Sequence, residues 1–247
     1  DLIGIAAVQL LLLAAMTFGA AYIRGLTGFG MAIILVPLFG LIVKPGDAVV
    51  IAILLQVLIG PVGLKVIYAD AHRQSALMIA AFAMLATPLG IWLLIHTSPD
   101  LARLMIAGIA IGAFVLVLLP QRGQLRPGPK ETALTGIASG VLTGFAAMPG
   151  PPVVPFYLRQ PIPPTEARAS MMLVFFATAI AGTISSFALG LANARLLWLS
   201  LLLFPSVLAG NWLGAKSFGR VPTNVWRSFV AAVLGVAGLS AVLRLLN

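Results

Sequence analysis

Apolar residues run almost without interruption through this chain, in segments long enough to cross a membrane. The uncharged run over residues 2–23 matches the roughly 20 residues that a helix needs to cross the hydrocarbon core. The later predicted elements are residues 31–43, 48–64, 74–95, 104–119, 132–158, 169–194, 196–215 and 228–243. Residues 31–43 are short enough for a tilted or half-depth helix, and residues 65–73 are predicted as a polar loop. The run of residues 132–158 is predicted to break near residues 148–152 (MPGPP), which divides it into two elements. Membrane barrels instead show alternating segments of about 10 residues. The pattern therefore predicts an all-α integral membrane protein.

The first apolar run is interrupted by a glycine-rich segment, residues 24–30, which reads RGLTGFG. Each glycine in a helix interior costs about 1 kcal/mol relative to alanine, so this segment predicts a break in the helix. In lipid, a broken backbone persists only where protein or a water-filled cavity satisfies its polar groups. The break is therefore predicted to line a binding site.

The same break occurs again, because residues 143–146 (TGFA) repeat residues 27–30 (TGFG) with an offset of 116. Further matches follow in the same order, namely Asp47 with Glu166, Arg73 with Arg195, Gly90 with Gly210 and Pro99 with Pro222. This order predicts an internal duplication, with residues 1–120 and 132–247 as repeats and 121–131 as a basic linker. Interrupted segments at matching places in two halves are typical of transporter binding sites.

An odd number of elements per repeat predicts that the second repeat enters the membrane upside down. With ten crossings and an external N-terminus, the external cations are Lys44, Arg103, Arg195 and Arg244. The cytoplasmic cations are then Arg24, Lys65, Arg73, Arg122, Arg126, Lys130, Arg159, Arg168, Lys216, Arg220 and Arg227. The eleven cytoplasmic cations outnumber the four external ones, as the positive-inside rule requires. We therefore predict two inverted five-helix repeats, with broken or half-length helices at the glycine-rich motifs and both termini outside.

The amino-acid composition limits the functions that this chain can have. Only 9% of the 247 residues are charged, against about 25% in soluble domains. The net charge of +9 comes from cations between apolar runs, which indicates topology signals rather than nucleic-acid binding. Without cysteine, and with two histidines and six acids, no cofactor or metal is predicted. The chain also lacks a nucleotide-binding loop and an acid deep in any span, so neither an enzyme nor a buried carboxylate relay is predicted.

The two motifs resemble those of the TauE/SafE family of sulfite exporters, also called the TSUP family. The matching segments are residues 25–30 through Val36-Pro37-Leu38 and residues 140–145 through Pro155. Here Gly30 is followed by Met31-Ala32, where family members commonly carry further glycines. The resemblance implies a multi-pass secondary transporter of the bacterial cytoplasmic membrane. It also implies export of sulfite or a short organosulfonate by alternating access.

An anion site is predicted between the two breaks, near the middle of the membrane. A helix that restarts after a break presents free backbone N–H groups and a partial positive charge, which favour an anion. The predicted substrate-binding residues are Arg24, Thr27, Gly28, Phe29, Gly30, Gln56, Thr143, Gly144, Phe145, Ala146, Met148 and Asn211. Three other interpretations stay open: the glycines serve helix packing, the threonines bond the preceding turn, or Arg24 snorkels to the membrane face.

The predicted partners are a small anion and the lipid bilayer, and a homo-oligomer is compatible with the pattern. Other functions stay open as alternatives. One is a transporter or channel for another small anion. Another is a non-transporting partner in a membrane assembly, which the basic linker could serve. A membrane enzyme or lipid-handling protein is disfavoured, because no span carries a carboxylate pair or a histidine cluster.

Overall fold

The structure, a computed structural model, describes residues 7–118, 126–217 and 243, and ten helices account for most of them. They are α1 Ala7–Thr27, α2 Met31–Phe39, α3 Pro45–Ile59, α4 Leu64–Asp70, α5 Arg73–Ile95, α6 Pro99–Leu118, α7 Pro129–Ala146, α8 Gly150–Leu158, α9 Pro164–Ala188 and α10 Ala194–Lys216. Five of them are long and apolar enough to cross a membrane, or six if the bent pair α3 and α4 is one span. The prediction of an all-α integral membrane protein is confirmed. The last predicted element, residues 228–243, lies outside the described residues except at position 243.

The first break is built by glycine. Helix α1 ends at Thr27, and Gly28 and Gly30 follow with φ angles of 86° and 91°, which residues with a side chain rarely adopt. Helix α2 then has nine residues, or about 14 Å, which is half of the roughly 30 Å hydrocarbon core. A half-length helix therefore follows the first motif, as predicted. By its own length this helix does not cross the membrane, which agrees with the half-depth alternative for residues 31–43, and the count of ten crossings stays a prediction.

The second break lies beside Met148 and Pro149, where the proline-rich segment predicts it, just after the repeated residues. Residues 143–146 form the last turn of α7, and the chain reverses at residues 147–149, where Ala147 takes a φ of 58°. Gly144 stays helical because it packs against α5, where an added Cβ atom would overlap the Thr87 carbonyl oxygen. Helix α8 again has nine residues. The repeated residues 143–146 therefore end α7 just before the second break, which lies beside the predicted residues 148–152, and a half-length helix follows it.

Helix α4 lies in the region after α3 that was predicted as a polar loop over residues 65–73. The axis of α4 makes an angle of 84° with that of α3. Helix α3 stops at Ile59 because Gly60, Pro61 and Gly63 follow, and Gly63 has a φ of 75°. Gly60 also lies directly against the ring of Phe176, which leaves no space for a side chain. The prediction of a loop over residues 65–73 was wrong, because the turn takes only residues 60–63 and the chain is helical again from Leu64.

Close helix pairs hold the bundle together. Helices α1 and α10 pack so closely that a Cβ atom on Gly210 or Gly214 would overlap carbonyl oxygens of α1. Helices α5 and α7 pack in the same way, through Gly136, Gly140 and Gly144. In membranes, where no hydrophobic effect drives helices together, small residues allow this close packing. The packing interpretation of the glycines therefore holds for these positions. Contacts advance in the same order along both members of each pair, so the members run parallel.

Helices α3 and α9, which follow the two half-length helices, run antiparallel. Gly46 at the start of α3 lies near Leu191 just past the end of α9, and Ile53 lies near Gly182. Gly60, just past the end of α3, lies near Phe176. These two helices, which the predicted duplication matches with each other, therefore point in opposite directions, and the inverted repeat of the whole halves stays a prediction.

Large apolar side chains cover much of the outer surface. Examples are Leu11 on α1, Leu85 on α5 and Trp198 on α10, which are 71%, 78% and 59% exposed. Lipid covers such a surface in a bilayer, whereas soluble monomers rarely expose apolar patches of this extent. The Lys216 Nζ atom lies 3.7 Å from the centroid of the Trp212 ring, at the end of α10. An aromatic ring with a cation at a helix end is typical of the membrane interface.

The predicted orientation can be tested by cysteine labelling, because the chain has no cysteine of its own. Lys44 and Lys130 are both exposed. We expect Lys130→Cys to react with a membrane-impermeant maleimide only from the cytoplasmic side, and Lys44→Cys only from outside. The reverse result would contradict the orientation. Labelling of both positions from one side would contradict the inverted repeats.

Candidate functional site

A small cavity lies between the first turns of α2 and α8 and brings the two breaks together. Its volume of about 30 Å³ leaves room for about two water molecules. The first half lines it with residues 29–33, and the second half with residues 148–150. Arg24 of α1 and Gln56 of α3 also line it. Both half-length helices thus direct their N-terminal ends toward one cavity.

The two helix ends differ in the number of N–H groups that they offer. The first N–H groups of a helix have no partner within it, and α2 starts with Gly30, Met31, Ala32 and Ile33, which all carry one. Helix α8 starts with Gly150, Pro151 and Pro152, and proline has no N–H. The donors at the cavity therefore come mainly from α2, with Gly150 as the contribution of α8.

Arg24 brings a positive charge to the cavity. Its Nη1 donates a hydrogen bond to Asn211 Oδ1 at 2.8 Å, which joins α1 to α10. Arg103 forms an ion pair with Asp100, whereas no described carboxylate forms an ion pair with Arg24. A guanidinium inside a bundle is costly when its charge is not balanced. An anion in the cavity would balance it.

A second guanidinium lies close behind the first break. The Arg168 side chain packs against Gly28, and its Nη2 donates to the Gly25 carbonyl oxygen at 3.4 Å. The charges of Arg168 and Arg24 are close enough to repel each other. Together the two like charges give a high local positive potential, which favours an anion over a neutral or cationic ligand.

Gln56 connects α3 to the second break. Its Nε2 donates to the Ala147 carbonyl oxygen at 3.1 Å and to the Ala52 carbonyl oxygen at 3.2 Å. The residue with the left-handed backbone at the second break is therefore held by a side chain from the first half.

Of the predicted site residues, those that line the cavity are Arg24, Phe29, Gly30, Gln56 and Met148. The others lie outside its lining, and they are Thr27, Gly28, Thr143, Gly144, Phe145, Ala146 and Asn211. Asn211 and Gly28 contact the two arginines, as described above. That any of these residues binds substrate stays a prediction.

Both threonine hydroxyls bond backbone oxygens. Thr143 Oγ1 donates to Ser139 O at 2.7 Å and is buried, which is the bond to the preceding turn. Thr27 Oγ1 lies 2.8 Å from Ile23 O and accepts the Phe29 N–H at 3.3 Å. The Thr27 side chain thus stabilises the first break by bonding backbone groups on both sides of it.

The sequence did not single out Arg168 or the α9 residues Met172, Phe175 and Phe176, which line or adjoin the cavity. Arg168 was predicted only as a cytoplasmic topology signal. Nothing in its spacing relates it to Gly28, which lies 140 positions earlier in the chain. The prolines at positions 151 and 152, in contrast, are a local signal that the second helix end has few donors.

An apolar helical bundle in which two interrupted segments meet at a cation-bearing cavity has the architecture of a secondary transporter. The family model described as sulfite exporter TauE/SafE matches residues 13–241, so the chain belongs to this family. Over 218 residues the chain is 27% identical to the probable sulfite/organosulfonate exporter TauE of Cupriavidus necator, which covers 84% of this chain and 83% of that protein. No solved structure matches the chain.

Family membership confirms the resemblance stated from the two motifs. The family consists of transporters, so transport rather than catalysis is the activity that it supports. Together with the apolar helices, it identifies the chain as a multi-pass protein of the bacterial inner membrane.

Proposed function

We propose that this protein exports sulfite or a short organosulfonate by alternating access, and that the cavity between α2 and α8 binds the anion. The observation that carries the proposal is the meeting of the α2 N-terminus and Arg24 at one cavity, where no described residue forms an ion pair with Arg24. Family membership and the name of the Cupriavidus protein support a sulfur oxyanion as the substrate.

The donors suit a compact oxyanion. Sulfite carries three oxygen atoms, which can accept the unpaired N–H groups of α2 and two parallel hydrogen bonds from the Arg24 guanidinium. In a low-dielectric bundle, helix dipoles and charges act on an anion with little screening by water.

Alternating access is supported by one of the differences between the two halves. The first half has a bend of 84° between α3 and α4, whereas the matching α9 is a continuous helix of 25 residues. The cavity is lined by Gly60 at this bend and by Ile67 of α4. In an inverted repeat, exchange of the bent and straight forms between the halves would close the cavity on one side and open it on the other.

Flux measurements test the proposal directly. Purified protein in liposomes, loaded with radiolabelled sulfite under anaerobic conditions, should release it with saturable kinetics, and excess unlabelled sulfite should compete. The same vesicles should be tested with taurine-like sulfonates and with an unrelated small anion such as nitrate. Equal flux of all anions would indicate a channel, and no flux of any would favour an assembly partner.

Gln56 offers a test of charge at the cavity. The substitution Gln56→Glu keeps the size but adds a negative charge, so we expect loss of measurable sulfite binding. We expect Gln56→Leu to weaken binding less than Gln56→Glu does, because it removes the hydrogen bond that holds Ala147 at the second break but adds no charge. Equilibrium binding to purified protein measures both. Equal effects of the two variants would show that the cavity does not sense charge at this position.

A further inference from the structure

A larger cavity lies at the far end of α2, which we name the α2 vestibule. It is formed by Gln9 at the start of α1, by Val43 and Lys44 after α2, by Asp47 in α3 and by Arg195 in α10, and its volume is about 220 Å³. Lys44 and Arg195 are exposed, whereas Asp47 is half-buried. The vestibule therefore opens to the surface at the end of α2 that is remote from the substrate cavity.

A matching cavity lies at the far end of α8, which we name the α8 vestibule. Its volume is about 200 Å³, and it is formed by the starts of α7 and α5 together with the end of α8. Helices α1, α2 and α10 in the first vestibule correspond to α7, α8 and α5 in the second. Each half-length helix thus has the substrate cavity at its N-terminus and a vestibule at its C-terminus. Because a vestibule occurs at the same place in both halves, it is a feature of the repeated structure rather than of one half.

The two vestibules differ in charge. The α8 vestibule is lined by polar groups such as those of His72, Ser75 and Thr132, and no acid, lysine or arginine of the described residues lines it. The α2 vestibule combines Lys44 and Arg195 with one carboxylate, Asp47, on which both cations act. The α2 vestibule therefore has a positive charge in excess.

Apolar packing separates the α2 vestibule from the substrate cavity. Leu35, Val36 and Phe39 of α2 are almost fully buried along the roughly 14 Å between them. Since α2 carries no polar side chain, an anion cannot rest against it between the two cavities. If it passes along α2, the cations of the α2 vestibule are the next groups that can hold it.

We propose that the α2 vestibule is a second binding site for the transported oxyanion, with Lys44 and Arg195 as its ligands and Asp47 as a carboxylate that competes for them. This inference rests on the proposed export function and on the predicted external position of Lys44. The competition keeps binding weak, so the anion leaves this site readily. The α2 vestibule would then act as the release site of an exporter.

Anaerobic equilibrium binding of radiolabelled sulfite to purified protein in detergent tests this site. The wild-type protein should show a tight and a weak class of site, and added salt should weaken the second class more. Arg195→Gln and Lys44→Gln should remove the weak class and retain the tight one, which also shows that the variants are folded. Asp47→Asn should tighten the weak class by about threefold to fivefold, as expected when one competing charge near the surface is removed.

Lys130→Gln is the matched control, because it removes an exposed cation far from the α2 vestibule and should change neither class. Arg24→Gln should remove the tight class only. A single tight class that Arg195→Gln leaves unchanged would overturn the second site and leave the proposed function standing. A wild-type protein that binds no sulfite would overturn both. Equal weakening by Lys130→Gln and Arg195→Gln would indicate a general charge effect and overturn the second site.

Discussion

Replacement of Arg24 by glutamine is expected to raise the dissociation constant for sulfite by about 30-fold or more. Removal of one member of a buried, hydrogen-bonded charge pair typically costs about 2–5 kcal/mol. At the proposed site the pair would form when the anion binds, because Arg24 has the neutral amide of Asn211 as its partner beforehand. Glutamine keeps polar contact with Asn211 but removes the charge, so the loss reports on the anion.

Arg24→Lys separates charge from geometry. Lysine retains the charge but lacks the planar fork that can bind an oxyanion and Asn211 together, so we expect an intermediate dissociation constant. Binding to purified protein measures all variants, with Lys130→Gln as a control for net charge. A folded Arg24→Gln protein that binds sulfite with the affinity of the wild type would place the anion site elsewhere.

The second large effect is expected from a glycine that does not line the cavity. Gly144→Ala should lower the free energy of unfolding by about 3 kcal/mol or more, since an added methyl group in a tightly packed contact forces the neighbours apart. The new Cβ atom would overlap the Thr87 carbonyl oxygen, and a backbone atom within a paired helix cannot move aside as a flexible side chain can. We expect a lower melting temperature in detergent and less monodisperse protein.

Gly112→Ala is the matched control. Gly112 also lies in a helix, but no heavy atom of the described residues outside its own helical turns comes within 4 Å of the position that an added methyl group would take. The substitution should therefore stabilise α6 by up to about 1 kcal/mol. Identical melting temperatures of Gly144→Ala and the wild type would contradict the tight packing of α5 on α7. Loss of sulfite binding in a poorly folded Gly144 variant would say nothing about the site.

Local sequence was sufficient for several features because their causes are local. Long apolar runs predict spans, since the bilayer core sets the length that a helix needs. The first break was predictable because Gly28 and Gly30 adopt backbone angles that few other residues tolerate. Arg24 and Gln56 could be found from the sequence because they are polar residues in apolar runs. A polar group in a membrane span is costly unless it faces a partner or a cavity.

The tertiary structure decided what the sequence left open. A glycine permits both a break and a close helix contact, and the choice depends on what lies opposite. Gly30 ends up at a turn with ample space around it, whereas Gly144, with nearly the same neighbours in sequence as Gly28, lies against the α5 backbone and stays helical. The placement of Arg168 against Gly28 has the same kind of cause, because only the packing of α9 brings these distant residues together. The sequence by itself therefore determined the membrane class and where the chain is interrupted, and the packing of the helices determined which interruptions face the cavity.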